Sequence, residues 1–336
     1  MLGLWGHQPL GRIDQFSGPT GVAPTADRCQ HPHLPRRRQL GRPQGQPDQR
    51  QRGRIQARAQ RGPTMRVAAI QMVSGTERDA NLAHARQALA LAAAQGAELA
   101  VLPEYFCLLG QRDSDKLAIQ EPFGQGPIQS MLAHSARELG LWVVGGTLPL
   151  SVPGQADRVR NSCLVFDPSG ACVARYDKMH LFGFDNGQER YDESRVLQPG
   201  DTPAWFDLPS RDGHPWRIGL SVCYDLRFPE LYRHLSQAGT HVLLVPSAFT
   251  HTTGQAHWEV LLRARAIENL CWVVASAQGG LHANGRRTWG HSLCVNPWGE
   301  VVAQRDLDAG LVLADLDMGA LLRWRSQLPA LGHRLL

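Results

Sequence analysis

The chain has 336 residues, enough for one large domain or two small ones. Its hydrophobic fraction is 43%, yet it has no run of about 18 apolar residues, which argues against a membrane-spanning protein. The net charge of +5 is unevenly placed, because residues 1–64 hold eleven arginines, no lysine and three aspartates and so carry +8. Residues 65–336 carry a net charge of −3, so the basic character of the chain belongs almost wholly to its first 64 residues.

Residues 1–64 have a different composition from the rest of the chain. They are rich in Arg, Gln, Pro and Gly and show no hydrophobic period, which predicts a disordered extension. Three interpretations stay open: a basic arm for nucleic acid, an organellar transit peptide, or translation of an upstream region with Met65 as the native start. We favour the third, in which no role is assigned to the extension and nucleic acid is not expected as a partner.

From Met65 onward the sequence predicts one α/β domain, 65–336, in which strands and helices alternate. Its predicted elements follow in chain order. They are strands at 66–72, 98–104, 142–148, 216–223, 241–248 and 271–278, helices at 80–97, 130–141, 228–239 and 258–270, hairpins at 162–178 and 292–304, and a tail from Leu321 that is first helical. We expect a mixed sheet with helix cover, most simply two sheets packed together.

The seven cysteines contain no Cys-x-x-Cys pair and are odd in number. This argues against a disulfide framework or a zinc site and favours a reducing compartment, so we expect a cytoplasmic location and no metal.

Three polar residues stand where predicted strands or hairpins end: Glu104, Lys178 and Cys223. Sites in α/β sheets gather at such positions. A thiol is a nucleophile as its thiolate, and a nearby cation and a helix N-terminus would lower its pKa. A carboxylate can take the thiol proton, and a lysine can stabilise an oxyanion. The chain has only two lysines, Lys116 and Lys178, against 33 arginines, which favours a specific need for an ammonium at position 178.

Three segments resemble the signature blocks of the nitrilase superfamily of carbon–nitrogen hydrolases: LPEYF at 102–106, KMHLF at 178–182 and VCYDLRFPEL at 222–231. The resemblance extends from about Met65 to His333. It implies a four-layer α-β-β-α sandwich, no cofactor, and pairing as a homodimer or higher homo-oligomer through the helical faces.

The same resemblance implies residue roles. Glu104 matches the general base, Lys178 the oxyanion-stabilising lysine and Cys223 the nucleophile. A supporting glutamate follows the lysine block in many members. Within YDES, Glu193 is the better match, and Glu189 is the weaker one. The loop GFDNGQERYDES departs from the acidic, proline-containing turn of the Nit relatives, which leaves the size of the substrate open. The backbone N–H of Tyr224 is expected to add to the oxyanion hole.

Residues 246–303 resemble the Nit branch, and AHWEVLLRARAIE and AQGGLHANGRRTWGHS are most similar to its deaminated glutathione amidases. That resemblance implies hydrolysis of a small-molecule amide to 2-oxoglutarate and cysteinylglycine through a thioester. The alternative within the branch is an ω-amidase that acts on 2-oxoglutaramate. Other rivals are a nitrilase or N-carbamoyl hydrolase, an acyltransferase, and a non-catalytic protein on the same scaffold.

Both Nit-branch substrates carry an α-keto carboxylate, which arginine can bind bidentately. Several residues near the blocks are therefore candidates for the substrate pocket. They are Arg227, Arg286 and Arg287 as cations, Ser247 and Phe249 after a strand end, and His257, Trp258 and Glu259 at the predicted start of a helix, where they either line the pocket or cap and pack the helix.

Overall fold

A computed structural model describes residues 63–335 of the chain. The predicted extension, residues 1–64, therefore lies outside the described residues except for Pro63 and Thr64. The first strand begins at Met65, where the sequence placed the start of the domain. No helix in residues 63–335 has the length and apolar character needed to cross a membrane.

Strands dominate the element order. They are β1 Met65–Gln71, β2 Leu99–Val101, β3 Trp142–Val144, β4 Leu148–Val152, β5 Gln155–Phe166, β6 Cys172–Asp177, β7 Gly183–Asp185, β8 Arg190–Asp192, β9 Trp205–Pro209, β10 Pro215–Leu220, β11 Val242–Leu244, β12 Trp272–Ala275, β13 Gly279–Leu281, β14 Arg287–Trp289, β15 Leu293–Val295, β16 Val301–Gln304 and β17 Gly310–Leu316. The α-helices are α1 Arg78–Ala94, α2 Asp115–Ala118, α3 Pro127–Leu139, α4 Pro229–Gln237, α5 His251–Asn269 and α6 Met318–Gln327.

Two mixed sheets form the centre of the domain. One has the order β17-β1-β2-β3-β5-β4, with β6 paired to β5, and the other has the order β16-β15-β12-β11-β10-β9. In the first sheet β1 pairs in parallel with β2 and antiparallel with β17. In the second, β10, β11 and β12 run parallel. The parallel strands bring their carboxyl ends to one edge of each sheet, and that edge positions the candidate site.

The alternation of side chains along β1 shows how the layers are arranged. Val67 and Ala69 belong to the same buried cluster as Ile218 and Leu220 of β10, so they pack toward the second sheet. Ala68 and Ile70 point the other way, because successive side chains of a strand alternate between its faces. They join a second cluster with residues of α1 and α3. Helices α4 and α5 cover the second sheet, and the predicted four-layer sandwich is confirmed.

Some predicted elements differ from the observed ones. The strand predicted to run to Cys223 ends at Leu220, and the helix predicted from Trp258 begins at His251. That helix starts early because the Thr250 side chain caps it by accepting a hydrogen bond from the N–H of Thr253. Strand β17 was not predicted.

Candidate active site

The sheet edges bring the predicted catalytic residues into one pocket. Glu104 follows β2, Lys178 follows β6 directly, and Cys223 follows β10 as the first residue of a 3-10 turn. Glu104, Glu193 and Cys223 all line this pocket. Lys178 reaches the same place through its hydrogen bonds.

Lys178 connects the two glutamates. Its Nζ donates to Glu104 Oε1 at 2.9 Å and to Glu193 Oε2 at 2.8 Å. The side chains of Lys178 and Glu104 are 0% and 1% exposed. An ammonium buried to this extent needs such partners, since removing a charge from water is costly without them. The arrangement fixes the ammonium beside the carboxylate that serves as the candidate base.

Glu104 is held from both oxygens. Oε1 accepts from Asn161 Nδ2 at 2.8 Å as well as from Lys178, and Oε2 accepts from the backbone N–H of Ala248 at 2.9 Å. The side chain of Gln278 binds the Glu104 carbonyl oxygen at 3.1 Å. These hydrogen bonds fix the orientation of the carboxylate, as is required of a general base that abstracts the proton of one particular group.

The geometry distinguishes the two candidate supporting glutamates. Glu193 binds Lys178, accepts from the Tyr105 hydroxyl at 2.7 Å and accepts from the backbone N–H of Phe182 at 2.7 Å. Glu189 instead accepts from the hydroxyl of Thr252 at 2.9 Å. The structure thus brings Glu193, and not Glu189, to the lysine.

Cys223 has an unusual backbone conformation. Its φ is +49°, which is uncommon for a residue with a side chain. Its N–H donates to the Pro246 carbonyl at 2.9 Å, and the N–H of Val222 donates to Asp225 Oδ2 at 2.8 Å. These bonds offset the strain of the sharp turn that carries the sulfur from the strand end to the pocket.

Asp225 anchors this turn. The carboxylate is fully buried and, besides the N–H of Val222, accepts from the Tyr176 hydroxyl at 2.7 Å and from the N–H of His180 at 3.0 Å. It joins the nucleophile block to the lysine block, because Tyr176 and His180 flank Lys178.

The pKa of the Cys223 thiol is raised well above its usual value. Burial is the main cause and the negative charge of Glu104 adds to it, whereas Lys178 acts in the opposite direction and is outweighed. The expectation of a lowered thiol pKa is therefore wrong. The resting thiol is neutral, so it needs a base for its proton. Glu104 lines the same pocket as Cys223 and is the candidate for that base.

The carboxylates differ in their pKa shifts. Burial raises the pKa of Glu104, partly opposed by Lys178. For Glu193 burial also acts upward, but Lys178 and Lys116 outweigh it and the pKa is lowered. Burial would lower the pKa of Lys178, yet its two carboxylate partners raise it well above normal. Lys178 stays charged, Glu193 stays ionised, and Glu104 is the group placed to exchange a proton.

Two further residues border Cys223 through a second pocket. Arg227 and Phe249 line it together with Cys223. The guanidinium of Arg227 lies 5.6 Å from the centre of the Phe249 ring and 3.3 Å from Nδ1 of His257. His257 is exposed, and its contact with this pocket is the one to Arg227.

The other candidate arginines lie on the first pocket. Arg286 donates to Asp113 Oδ1 at 3.0 Å and lies 5.7 Å from the centre of the Tyr191 ring. Arg287 is exposed and lines the same pocket. Both arginines therefore lie in the pocket wall. The oxyanion role of the Tyr224 N–H stays a prediction; the Tyr224 ring packs edge-on against Phe182, with centroids 5.2 Å apart.

Three other predicted residues do not reach the pocket. Ser247 is fully buried and its hydroxyl donates to the Val245 carbonyl at 3.2 Å, a contact that does not support its predicted role as a substrate contact. Trp258 is buried, packs on Phe249 and donates its indole N–H to the His291 carbonyl, a packing role. Glu259 is exposed and pairs with Arg263 at 3.4 Å. Trp258 and Glu259 lie about two turns into helix α5, which begins at His251, and not at its first residues as predicted.

The sequence did not identify several residues of the site. Asn161 comes from a distant segment, and no local signal marks it. Asp225 stands inside the nucleophile block, but nothing in the block indicates that its carboxylate would be buried and would bind Tyr176 and His180. Lys116 is different, because it is the second of only two lysines and lines the pocket with Cys223. The scarcity that indicated Lys178 applied equally to Lys116. Residues 63–335 contain no group of three His, Cys, Asp or Glu side chains placed to hold a metal, and the expectation of no cofactor stays a prediction.

Comparison with known proteins places this geometry in a family. The carbon–nitrogen hydrolase family profile matches residues 66–326. The chain is 42% identical over 272 residues to the human protein named deaminated glutathione amidase, covering 80% of this chain and 81% of the relative. It is 36% identical to the human omega-amidase NIT2 over 268 residues, covering 79% and 93%. Among solved structures, the C. elegans NitFhit protein superposes with a TM-score of 0.73 at 35% identity, covering 82% of this chain and 66% of that one.

Proposed function

The chain belongs to the carbon–nitrogen hydrolase family, and from that premise we propose that it hydrolyses the amide of deaminated glutathione through a thioester on Cys223. As a member of the family it is a hydrolase of carbon–nitrogen bonds other than peptide bonds. The observation that carries the proposal is the buried group of Glu104, Lys178 and Glu193 around a cysteine in a strained turn. The similarity to deaminated glutathione amidases supports the substrate.

The first half of the reaction forms the thioester. Glu104 accepts the proton of the Cys223 thiol while the sulfur attacks the carbon of the amide. The negative charge that develops on the carbonyl oxygen is stabilised by the Lys178 ammonium and the Tyr224 N–H. Glu104 then gives its proton to the nitrogen as the carbon–nitrogen bond breaks, and cysteinylglycine leaves as the free amine.

The second half releases the acid. Glu104 takes a proton from water, the resulting hydroxide attacks the thioester, and the same donors hold the oxyanion. The sulfur leaves and recovers the proton from Glu104, and 2-oxoglutarate is released. Glu193 keeps Lys178 in place through both halves, since its lowered pKa keeps it ionised.

A second candidate is an ω-amidase reaction on 2-oxoglutaramate, which the similarity to NIT2 favours. The acyl group transferred to Cys223 would be the same and only the leaving amine would change. The two candidates share every residue of the mechanism, so a comparison of substrates decides between them.

The test is a side-by-side assay of the full chain and its Cys223→Ala variant. We would measure 2-oxoglutarate release from deaminated glutathione and from 2-oxoglutaramate and compare kcat/KM. The proposal expects a preference for deaminated glutathione that is lost in the variant. Preference for 2-oxoglutaramate would move the chain to the ω-amidase activity, and activity retained by Cys223→Ala would contradict the mechanism.

The proposal extends to organisation and location. We assign residues 65–336 to the hydrolase domain and residues 1–64 to an extension, which agrees with the match from residue 66. Pairing of two copies through the helical faces is supported by Val260 and Ile267 of α5, which are 68% and 47% exposed. A cytoplasmic location is supported by the cysteines of the described region, which are all free.

A further inference from the structure

Both lysines of the chain are at the same site. Lys178 lies in the buried group with the two glutamates, and Lys116 lines the pocket that also contains Cys223. The mechanism above uses Lys178 and leaves Lys116 without a role. In a chain with 33 arginines, a second lysine in the wall of this pocket suggests a specific function for its ammonium group.

Lys116 is buried but loosely paired. Its side chain is 9% exposed and its Nζ lies 3.5 Å from Asp113 Oδ1, longer than the roughly 2.7–2.9 Å of a charge-assisted hydrogen bond. The ammonium also lies 4.4 Å from the centre of the Tyr105 ring. An ammonium has three N–H donors, and a cation–π contact to a ring provides no hydrogen-bond acceptor for any of them. Lys116 therefore has capacity for an anion.

Asp113 cannot satisfy this lysine alone. The same Oδ1 atom accepts from Arg286 Nη2 at 3.0 Å, so one carboxylate oxygen is shared between two cations. The neighbouring Glu193 is bound at 2.8 Å by Lys178 and acts on Lys116 only through space. Arg286 lines the pocket beside Lys116. One wall of the pocket thus presents two cations that share a single close counter-ion.

Cys223 lies between this wall and a third cation, Arg227. Phe182, Cys223, Ala248 and Thr250 line both pockets of the site, so the two pockets meet at the nucleophile. We name the pocket with Lys116 and Arg286 the acyl lobe and the pocket with Arg227 and Phe249 the amine lobe. An amide bound with its carbonyl at the sulfur must extend from Cys223 in two directions, and each lobe offers one of them.

We propose that Lys116, assisted by Arg286, binds the α-keto carboxylate of the acyl half of the substrate. This rests on the proposed function, in which the acyl half is a 2-oxoglutaryl group. The acyl half stays bound as the thioester through both half-reactions, which suits the lobe with the buried Lys116. The amine must leave while the thioester remains, which suits the lobe where Arg227 contacts the exposed His257.

The competing account is that Lys116 only anchors the loop that carries Asp113. Lys116→Met separates the two accounts, because it keeps the apolar stem of the side chain and removes the ammonium. Arg112→Met is the matched control: Arg112 is in the same segment, its side chain is 82% exposed, and the same charge is lost. If Lys116 is only an anchor, Asp113→Asn should reproduce the effect of Lys116→Met.

The deciding measurement is calorimetric titration of the full-length Cys223→Ala protein with 2-oxoglutarate, with and without each second substitution. We expect Lys116→Met to weaken binding about ten- to a hundredfold, as for the loss of a charge-assisted contact, and Arg112→Met to change it less than about twofold. Asp113→Asn should not weaken binding. No binding by the Cys223→Ala protein, equal binding with Lys116→Met, or an equal loss with Asp113→Asn would overturn the proposal.

Kinetics with Cys223 intact assigns the lobe. Deaminated glutathione and 2-oxoglutaramate share the acyl half, so Lys116→Met should raise KM for both by the same factor. A rise for deaminated glutathione alone would place Lys116 beside the leaving amine and overturn the acyl assignment. Failure of the wild-type chain to turn over deaminated glutathione would refute the proposed function only, because the titration decides the role of Lys116 without turnover.

Discussion

The ammonium of Lys178 donates to Glu104 Oε1 at 2.9 Å, and the two side chains are almost fully shielded from solvent. This contact joins the candidate oxyanion donor to the candidate base. It also explains why the base can hold a proton transiently: burial raises the pKa of Glu104, while Lys178 limits the rise.

Replacement of Lys178 by Met should abolish most of the activity. Removing one oxyanion donor costs about 100- to 1,000-fold in kcat, and here it also leaves Glu104 and Glu193 facing each other without a cation. We expect at least that loss in kcat, measured by 2-oxoglutarate release. Arg263→Met, which removes an exposed cation from α5, is the control. A Lys178→Met enzyme within about tenfold of wild type would contradict the assigned role.

The pH profile of kcat/KM should show the base. Glu104 must be ionised to accept the thiol proton, so activity falls as the pH drops through its pKa. Because that pKa is raised, the acid limb should lie above 4.5, the ordinary value for glutamate. The profile of the free enzyme would be measured with either candidate substrate. An acid limb at or below 4.5 would be incompatible with Glu104 as the base in this environment.

Tyr105→Phe tests the support of the lysine without disturbing its charge. The change removes the 2.7 Å hydrogen bond from the tyrosine hydroxyl to Glu193 and keeps the ring beneath Lys116. We expect kcat to fall by up to about tenfold with KM nearly unchanged, because a single hydrogen bond to a charged group is lost. A changed KM with normal kcat would show that the hydroxyl acts on the substrate instead.

Arg227→Ala tests the amine lobe. Arg227 lines the pocket on the other side of Cys223, so its loss should raise KM for deaminated glutathione about tenfold and for 2-oxoglutaramate far less. Arg287→Ala should have a smaller effect, since that residue is exposed. Steady-state kinetics with both substrates gives the comparison. If neither variant changed KM, these arginines would not form a carboxylate clamp.

Asp225→Ala should affect folding and activity together. It leaves the Tyr176 hydroxyl and the N–H groups of Val222 and His180 without their buried acceptor. The cost should be about 3 kcal/mol in the free energy of unfolding, measured with urea. Glu259→Ala, at an exposed position, should change it by less than about 0.5 kcal/mol. An Asp225→Ala protein as stable as wild type would show that the turn at Cys223 forms without the hydrogen bonds of Asp225.

The sequence predicted the parts of the site that lie within short blocks. Glu104, Lys178 and Cys223 each stand in a stretch whose neighbours mark it, and the alternation of strands and helices indicated the layers. Ser247 was predicted to meet the substrate because it follows a strand end, but the direction of one side chain at such an end depends on the local backbone. The Ser247 hydroxyl instead donates a hydrogen bond to the Val245 carbonyl.

The remaining features depend on contacts between distant segments. Strand β17 forms because Gly310–Leu316 pairs with β1, which lies at the other end of the domain in sequence. The register runs from Met65↔Leu316 to Gln71↔Gly310. Asn161 reaches Glu104 only when β5 lies beside β3 in the same sheet. The pKa of the Cys223 thiol is raised mainly by burial, and the residues of a short sequence block do not show how deeply the thiol is buried.

The most direct test of the central claim is to trap the intermediate on Cys223. The full-length enzyme would be mixed with deaminated glutathione, quenched with acid within one turnover, digested, and examined by mass spectrometry. We predict one 2-oxoglutaryl group on the peptide that contains Cys223, absent when Cys223→Ala is used. Turnover without that adduct, or with an adduct derived from the cysteinylglycine half, would contradict the account.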